Sequence, residues 1–186
     1  MADQTFTSGQ ILTAAQMTTL QSDIGLAYIT SATATSGTSL SVNNCFTSSF
    51  SAYRIVISRA TLGGVTGLSM RMRASGTDTT TGYYSIRNGF DYTTVVATTV
   101  GLSNGGNWDL PLIADTTNAS CVIDVYNPQA AFKTMISGQG ADARTTGLGS
   151  LTSGGMLDNT TSYDGFTVFS AQTITNITLA VFGYRK

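Results

Sequence analysis

The sequence predicts a mainly β protein, an antiparallel β-sandwich of jelly-roll-like type preceded by a short N-terminal helix. Three observations carry that expectation. The composition holds 32 Thr and 20 Ser but no Glu, a bias toward strands and turns and away from helices. From residue 27 onward, apolar residues recur with period two in short runs bounded by Gly, Asn, Asp and Ser. Helical spacing is confined to the first 25 residues.

That N-terminal cassette reads FTSGQILTAAQMTTLQSDIG, Phe6 to Gly25. Thr13 is a good N-cap, and Gln16 three residues later completes a capping box. Leu12 before the cap and Met17 inside the first turn form a hydrophobic staple, and Gly25 supplies a C-terminal stop. Met17, Leu20 and Ile24 then share one face of a helix over residues 14–24. Three turns are marginal in isolation, so this face needs a surface to dock on. The chain therefore divides into an extended or helical anchor, 1–26, and a β-sandwich head, 27–186; no clean linker separates them, and 25–39 is the one candidate.

The head reads as about eight strands. Leu40 and Val42 alternate with Ser39 and Ser41. Tyr53 to Ser58 is a buried strand. Leu68, Met70 and Met72 alternate with Ser69, Arg71 and Arg73, so the two arginines stand on a solvent or interface face, where they either pair with aspartates of a neighbour or are simply solvated. Tyr83 to Ile86, the Thr/Val-rich 93–102, and Leu110 to Ile113 follow. Ser120 to Tyr126 and Ala131 to Ile136 form an antiparallel pair about Asn127-Pro128. The Gly-rich stretch 137–155 reads as a loop or an irregular pair. Phe166 to Ser170 and Thr175 to Tyr184 close the chain. Asp78 and Asn159, each among threonines, read as loop tips.

Composition also narrows function. Net charge is −1 with nine Lys plus Arg, which leaves no basic stripe for nucleic acid. No run approaches 18 apolar residues, so no membrane insertion is expected. The N-terminus lacks the basic start and apolar stretch of a secretory signal. Without His or Glu, histidine triads, the usual zinc hydrolase sites and Glu-based glycosidase pairs are excluded. The aspartates show no calcium-loop spacing, and no cofactor motif is present. Cys45 and Cys121 read as buried free thiols. An enzyme is not expected.

One candidate binding site stands out, Asn107-Trp108-Asp109 with Tyr84. A ring flanked by amide and carboxylate groups suits a sugar, whose apolar face stacks while its hydroxyls are held. The alternative is that Trp108, the single tryptophan, belongs to the core or to a subunit interface.

Gly9, Leu12, Thr13, Ala14 and Ala15 form a G-x-x-L-T-A-A core that resembles a segment near the start of many bacteriophage virion proteins, among them tail fibres and tail appendages. The closing Phe182-Gly183-Tyr184 is similar to the aromatic-Gly-aromatic step ending phage fibre heads. The resemblance implies a virion structural protein, assembled in the host cytoplasm and acting as a homotrimer. Leu12, Met17, Leu20 and Ile24 would dock on another virion protein, either a tail adaptor or nozzle or the major capsid protein. The head would meet a host-surface glycan. A tail-attached appendage is the first expectation; a capsid decoration (cement) protein is the alternative.

Overall fold

The computed structural model describes residues 25–92, 96–144 and 147–185, together with 9, 11, 13 and 14. The chain is mainly β, and the helix expected over 14–24 lies, apart from Ala14, outside the described residues. Among the described residues thirteen strands follow in order: β1 (Leu26–Ala34), β2 (Ser39–Val42), β3 (Ala52–Leu62), β4 (Thr66–Ala74), β5 (Thr77–Asp78), β6 (Tyr83–Asp91), β7 (Ala97–Gly105), β8 (Trp108–Ala114), β9 (Ala119–Tyr126), β10 (Met135–Arg144), β11 (Gly147–Leu157), β12 (Gly165–Phe169) and β13 (Ile174–Tyr184). Eight of them form one antiparallel sheet in the order β1-β13-β3-β9-β10-β11-β6-β7. The second sheet runs β2-β12-β4, and β5 and β8 share the free edge of β4.

Period-two burial explains the layering. Tyr53, Ile55 and Ile57 of β3, Ile123 and Val125 of β9, and Leu179 and Val181 of β13 are buried in the same core as Leu68, Met70 and Met72 of β4, Phe166 and Val168 of β12, and Trp108, Leu110 and Leu112 of β8. Alternation of this kind puts every second side chain of a strand into the space between two sheets. Aromatic edges lock the interior: Phe46 meets Tyr53 at 4.7 Å and Tyr83 meets Trp108 at 5.0 Å, both T-shaped. The polar ends of these rings are satisfied. Tyr53 Oη accepts from Thr47 N at 2.6 Å, and Tyr83 Oη accepts from Met72 N at 2.8 Å and donates to Thr79 O at 3.0 Å.

Four segments differ from the sequence expectation. Of the expected strand 131–136, residues 131–134 lie outside any strand and β10 starts at Met135. The supposed linker 25–39 holds β1, an edge strand paired along β13 from Leu26↔Tyr184 to Ala34↔Ile177. Its register shifts between Tyr28 and Thr30, and this bulge breaks the alternation that would have revealed a strand. Asp78 lies not at a loop tip but in β5, ion-paired to Arg73 at 2.6 Å. Residues 137–144 and 147–155 of the Gly-rich stretch are regular strands, β10 and β11 pairing without a break from Met135↔Met156 to Arg144↔Gly147. The glycines there have a packing role. A Cβ on Gly140 would overlap the carbonyl oxygen of Pro111, and one on Gly155 would come within 2.9 Å of Trp108 Cδ1. Between the buried side chains of Ile136, Asp142, Leu151 and Ser153, these glycines leave bare backbone on the inner face of the hairpin, where β8 approaches.

Candidate functional site

The anchor residues Leu12, Met17, Leu20 and Ile24 lie outside the described residues. The proposed sugar site can be judged. Trp108 is 0% exposed, stands edge-on to Tyr83 and donates Nε1–H to the Met156 carbonyl at 3.1 Å. It is a core residue, which corrects the sugar-stacking role. Asp109 Oδ1 accepts from Ser69 Oγ and from Asn107 Nδ2, both at 3.3 Å, and so braces the strand entrance. Tyr83 points into the core; Tyr84, the next residue, points out of the opposite face of the large sheet. Asn107, Trp108, Asp109 and Tyr84 therefore do not form one site.

Tyr84 instead ends a row that crosses five strands. Ala52 of β3 faces Tyr126 of β9, Tyr126 faces Met135 of β10, Met135 faces Met156 of β11, and Met156 faces Tyr84 of β6. The row stands on the outer face of the large sheet. Met135 is 49% and Tyr126 37% exposed, and Ile86, two residues beyond Tyr84, is 49% exposed. Together with Leu102 they line a shallow depression of about 550 Å³. Phe90, on the same face of β6 and 58% exposed, continues the apolar surface. Contiguous exposed apolar area of this kind marks a contact surface for another molecule, and Tyr and Met are the residue types enriched at the centres of such contacts.

Beside this row sits a charged clamp. Arg54 donates to both carboxylate oxygens of Asp124, Nε to Oδ1 and Nη2 to Oδ2, each at 2.8 Å. Tyr184 Oη donates to Asp124 Oδ1 at 2.7 Å, and the guanidinium lies 5.3 Å from the Tyr184 ring centre. The Arg54 hydrogen bonds hold the Asp124 carboxyl below its usual range. Partial burial, then the bond to Asp124, pushes the Tyr184 phenol up to about 12. Charge is neutralised inside the clamp, so it ties β3, β9 and β13 together and offers no free nucleophile or base.

The two arginines of β4 part ways. Arg73 pairs with Asp78 of its own chain, not with a neighbour, and also reaches Asn43, Ser41, Thr167 and Gly76. Arg71 donates Nε–H to Gly106 O at 2.9 Å and lies over the Phe169 ring at 4.5 Å. Cys45 and Cys121 are buried and free; burial pushes the Cys45 thiol up to about 12 and raises that of Cys121 as well. Both are poor nucleophiles. Among the described residues no group of three or more His, Cys, Asp or Glu is placed to hold a metal ion, and no helix is long and apolar enough to cross a membrane.

Sequence reasoning missed the row because its members stand at positions 84, 126, 135 and 156. Alternation placed Tyr84 and Tyr126 on strand faces, but only the register brings them together. No known family profile matches the chain, and no curated protein matches it.

Proposed function

We propose that the chain is a bacteriophage virion structural protein: a β-sandwich head that assembles through its outer apolar row and is fixed to the particle by the N-terminal segment. The observation that carries this reading is the exposed row Tyr126–Met135–Met156–Tyr84 on a head whose other face is closed over a core. A head of this kind has a surface prepared for packing against copies of itself or against a partner protein. The G-x-x-L-T-A-A segment, Gly9 to Ala15, supports a phage origin, and the helical pattern of Met17, Leu20 and Ile24 supports an anchor. A homotrimer suits both, since it would bundle three short apolar helices and bury three rows.

The first form of the proposal is a tail fibre or tail-attached appendage that presents its head to a host-surface glycan. The alternative is a capsid decoration protein, since a two-sheet head serves either role. Deleting the gene from the phage that encodes it separates the two. Loss of adsorption with stable heads supports the appendage. Intact adsorption with heat-fragile heads supports the decoration protein. Normal adsorption with normal heads contradicts both.

A further inference from the structure

The outer face of the small sheet holds a second, unassigned site. Strands β2, β4, β5 and β12 enclose a polar pocket of about 300 Å³, with Arg71, Arg73, Asp78 and Phe169 in its walls. It follows from register. Arg71 of β4 stands opposite Thr167 of β12, which stands opposite Ser41 of β2; in the next row Ser69, Phe169 and Ser39 align in the same way. Three strands thus place one aromatic ring, two guanidinium groups and several hydroxyls on a common surface.

The two arginines are in different states. Arg73 is engaged at all three nitrogens: Nε donates to Asn43 Oδ1 at 2.9 Å, the two Nη1 hydrogens are shared among Asp78 Oδ1 at 2.6 Å, Thr167 Oγ1 at 2.7 Å and Ser41 Oγ at 3.1 Å, and Nη2 donates to Gly76 O. Arg71 uses Nε alone, and among the described residues its two terminal nitrogens have neither a hydrogen-bond acceptor nor a carboxylate within ion-pair distance. Yet its plane is fixed, by the Gly106 carbonyl at one nitrogen and by the Phe169 ring beneath it. A guanidinium held this way has already lost the rotamer freedom that ligand binding would otherwise cost, and it presents a fork matched to a carboxylate.

We propose that this pocket binds the carboxylate of an acidic sugar, with Arg71 as the fork and the hydroxyl-bearing rim meeting the sugar hydroxyls. The charge balance selects a monoanion. Arg73 and Asp78 cancel, Arg71 leaves one positive charge, and the Asp78 carboxylate at the same wall disfavours a dianion such as phosphate. The free hydroxyls of Thr38 and Ser39, on the exposed rim, suit a hydroxylated ring more than a bare acid. As a host-surface contact the site rests on the virion reading; as a binding site it does not, and the test below addresses the binding site alone.

The test is titration of the full-length ¹⁵N-labelled protein, followed by two-dimensional NMR, with glucuronate, glucose, acetate and inorganic phosphate at matched ionic strength. The expected result is saturable shifts with glucuronate, centred on the Arg71 Nε–H and the amides of Ser39, Thr167 and Phe169. Glucose and acetate should each bind at least ten-fold more weakly. Arg71→Gln should weaken glucuronate at least ten-fold. Arg71→Lys, which keeps the charge and loses the fork, should weaken it as well while preserving the rest of the spectrum, and so separates a lost contact from a lost fold. Absence of saturation, glucose binding as tightly as glucuronate, or an unchanged affinity in Arg71→Lys would overturn the site. Acetate matching glucuronate would overturn the sugar assignment, and phosphate binding more tightly would overturn the monoanion argument.

Discussion

Trp108 Nε1 donates to the carbonyl oxygen of Met156 at 3.1 Å, a hydrogen bond that ties β8 of the small sheet to β11 of the large one. The same indole closes the core against Tyr83. Its position makes Trp108 a strut between sheets. Trp108→Ala is expected to cost about 3–5 kcal/mol, from lost burial and the cavity left behind. Trp108→Phe should cost less, with the orphaned Met156 carbonyl contributing about 1–3 kcal/mol if no water reaches it. Urea unfolding of both variants measures this; a stability loss below about 1 kcal/mol in Trp108→Ala would contradict a buried role.

The hairpin glycines give a paired experiment. Gly140 faces inward, where a Cβ would overlap the Pro111 carbonyl; Gly154 has only Ile136 O within reach, at 3.8 Å. Gly140→Ala should destabilise by about 1–3 kcal/mol as β8 is pushed away. Gly154→Ala should stabilise by about 0.5 kcal/mol, because alanine loses less backbone freedom in a strand. Thermal melts that moved both variants in the same direction would refute the packing role of the glycine face.

The clamp predicts a pH dependence at both ends. The native Asp124 carboxyl is lowered, first by the Arg54 hydrogen bonds. Its contribution to stability is therefore complete above the unfolded value of about 3.9 and is lost as pH falls through the lower native value. Tyr184 is raised, to about 12, by burial and then by Asp124. It therefore contributes below the unfolded value of about 10, and that contribution is lost as pH rises toward 12. Asp124→Asn should flatten the acid limb of the stability profile and bring tyrosinate absorption to lower pH. An acid limb identical to that of the parent would contradict the clamp.

The apolar row predicts an assembly phenotype. Met135→Lys and Met156→Lys change outer-face side chains, one exposed and one half-buried, so the melting temperature should move by only a few degrees. Self-association, followed by light scattering across concentration, should weaken at least ten-fold. Unchanged association would move the contact to another face.

The strands that could be read from the sequence are those whose inward positions carry large apolar side chains. Leu68-Met70-Met72 and Ile177-Leu179-Val181 announce themselves by alternation, and both are strands buried on the expected face. The hairpin β10–β11 could not be read this way, because Gly138, Gly140, Gly149 and Gly155, with polar Asp142 and Ser153, interrupt its inward positions and leave only Ile136, Leu151 and Leu157 as scattered apolar marks. There, burial comes from the approach of β8, a long-range event with no local trace. β1 was hidden by its bulge. Trp108 was legible as either ring platform or core, and only burial decides. The Arg71 pocket was half legible: alternation placed Arg71 and Arg73 on one face, but the partner that silences Arg73 and the ring that orients Arg71 come from β5 and β12.

The central claim, that this chain is a stoichiometric part of a virion, is tested most directly by quantitative mass spectrometry of purified particles of the phage that encodes it, scaled to the major capsid protein. The account predicts a fixed copy number: a few per hundred capsid subunits for a tail appendage, or a ratio near one to a small integer for a decoration protein. Absence from purified particles would contradict it.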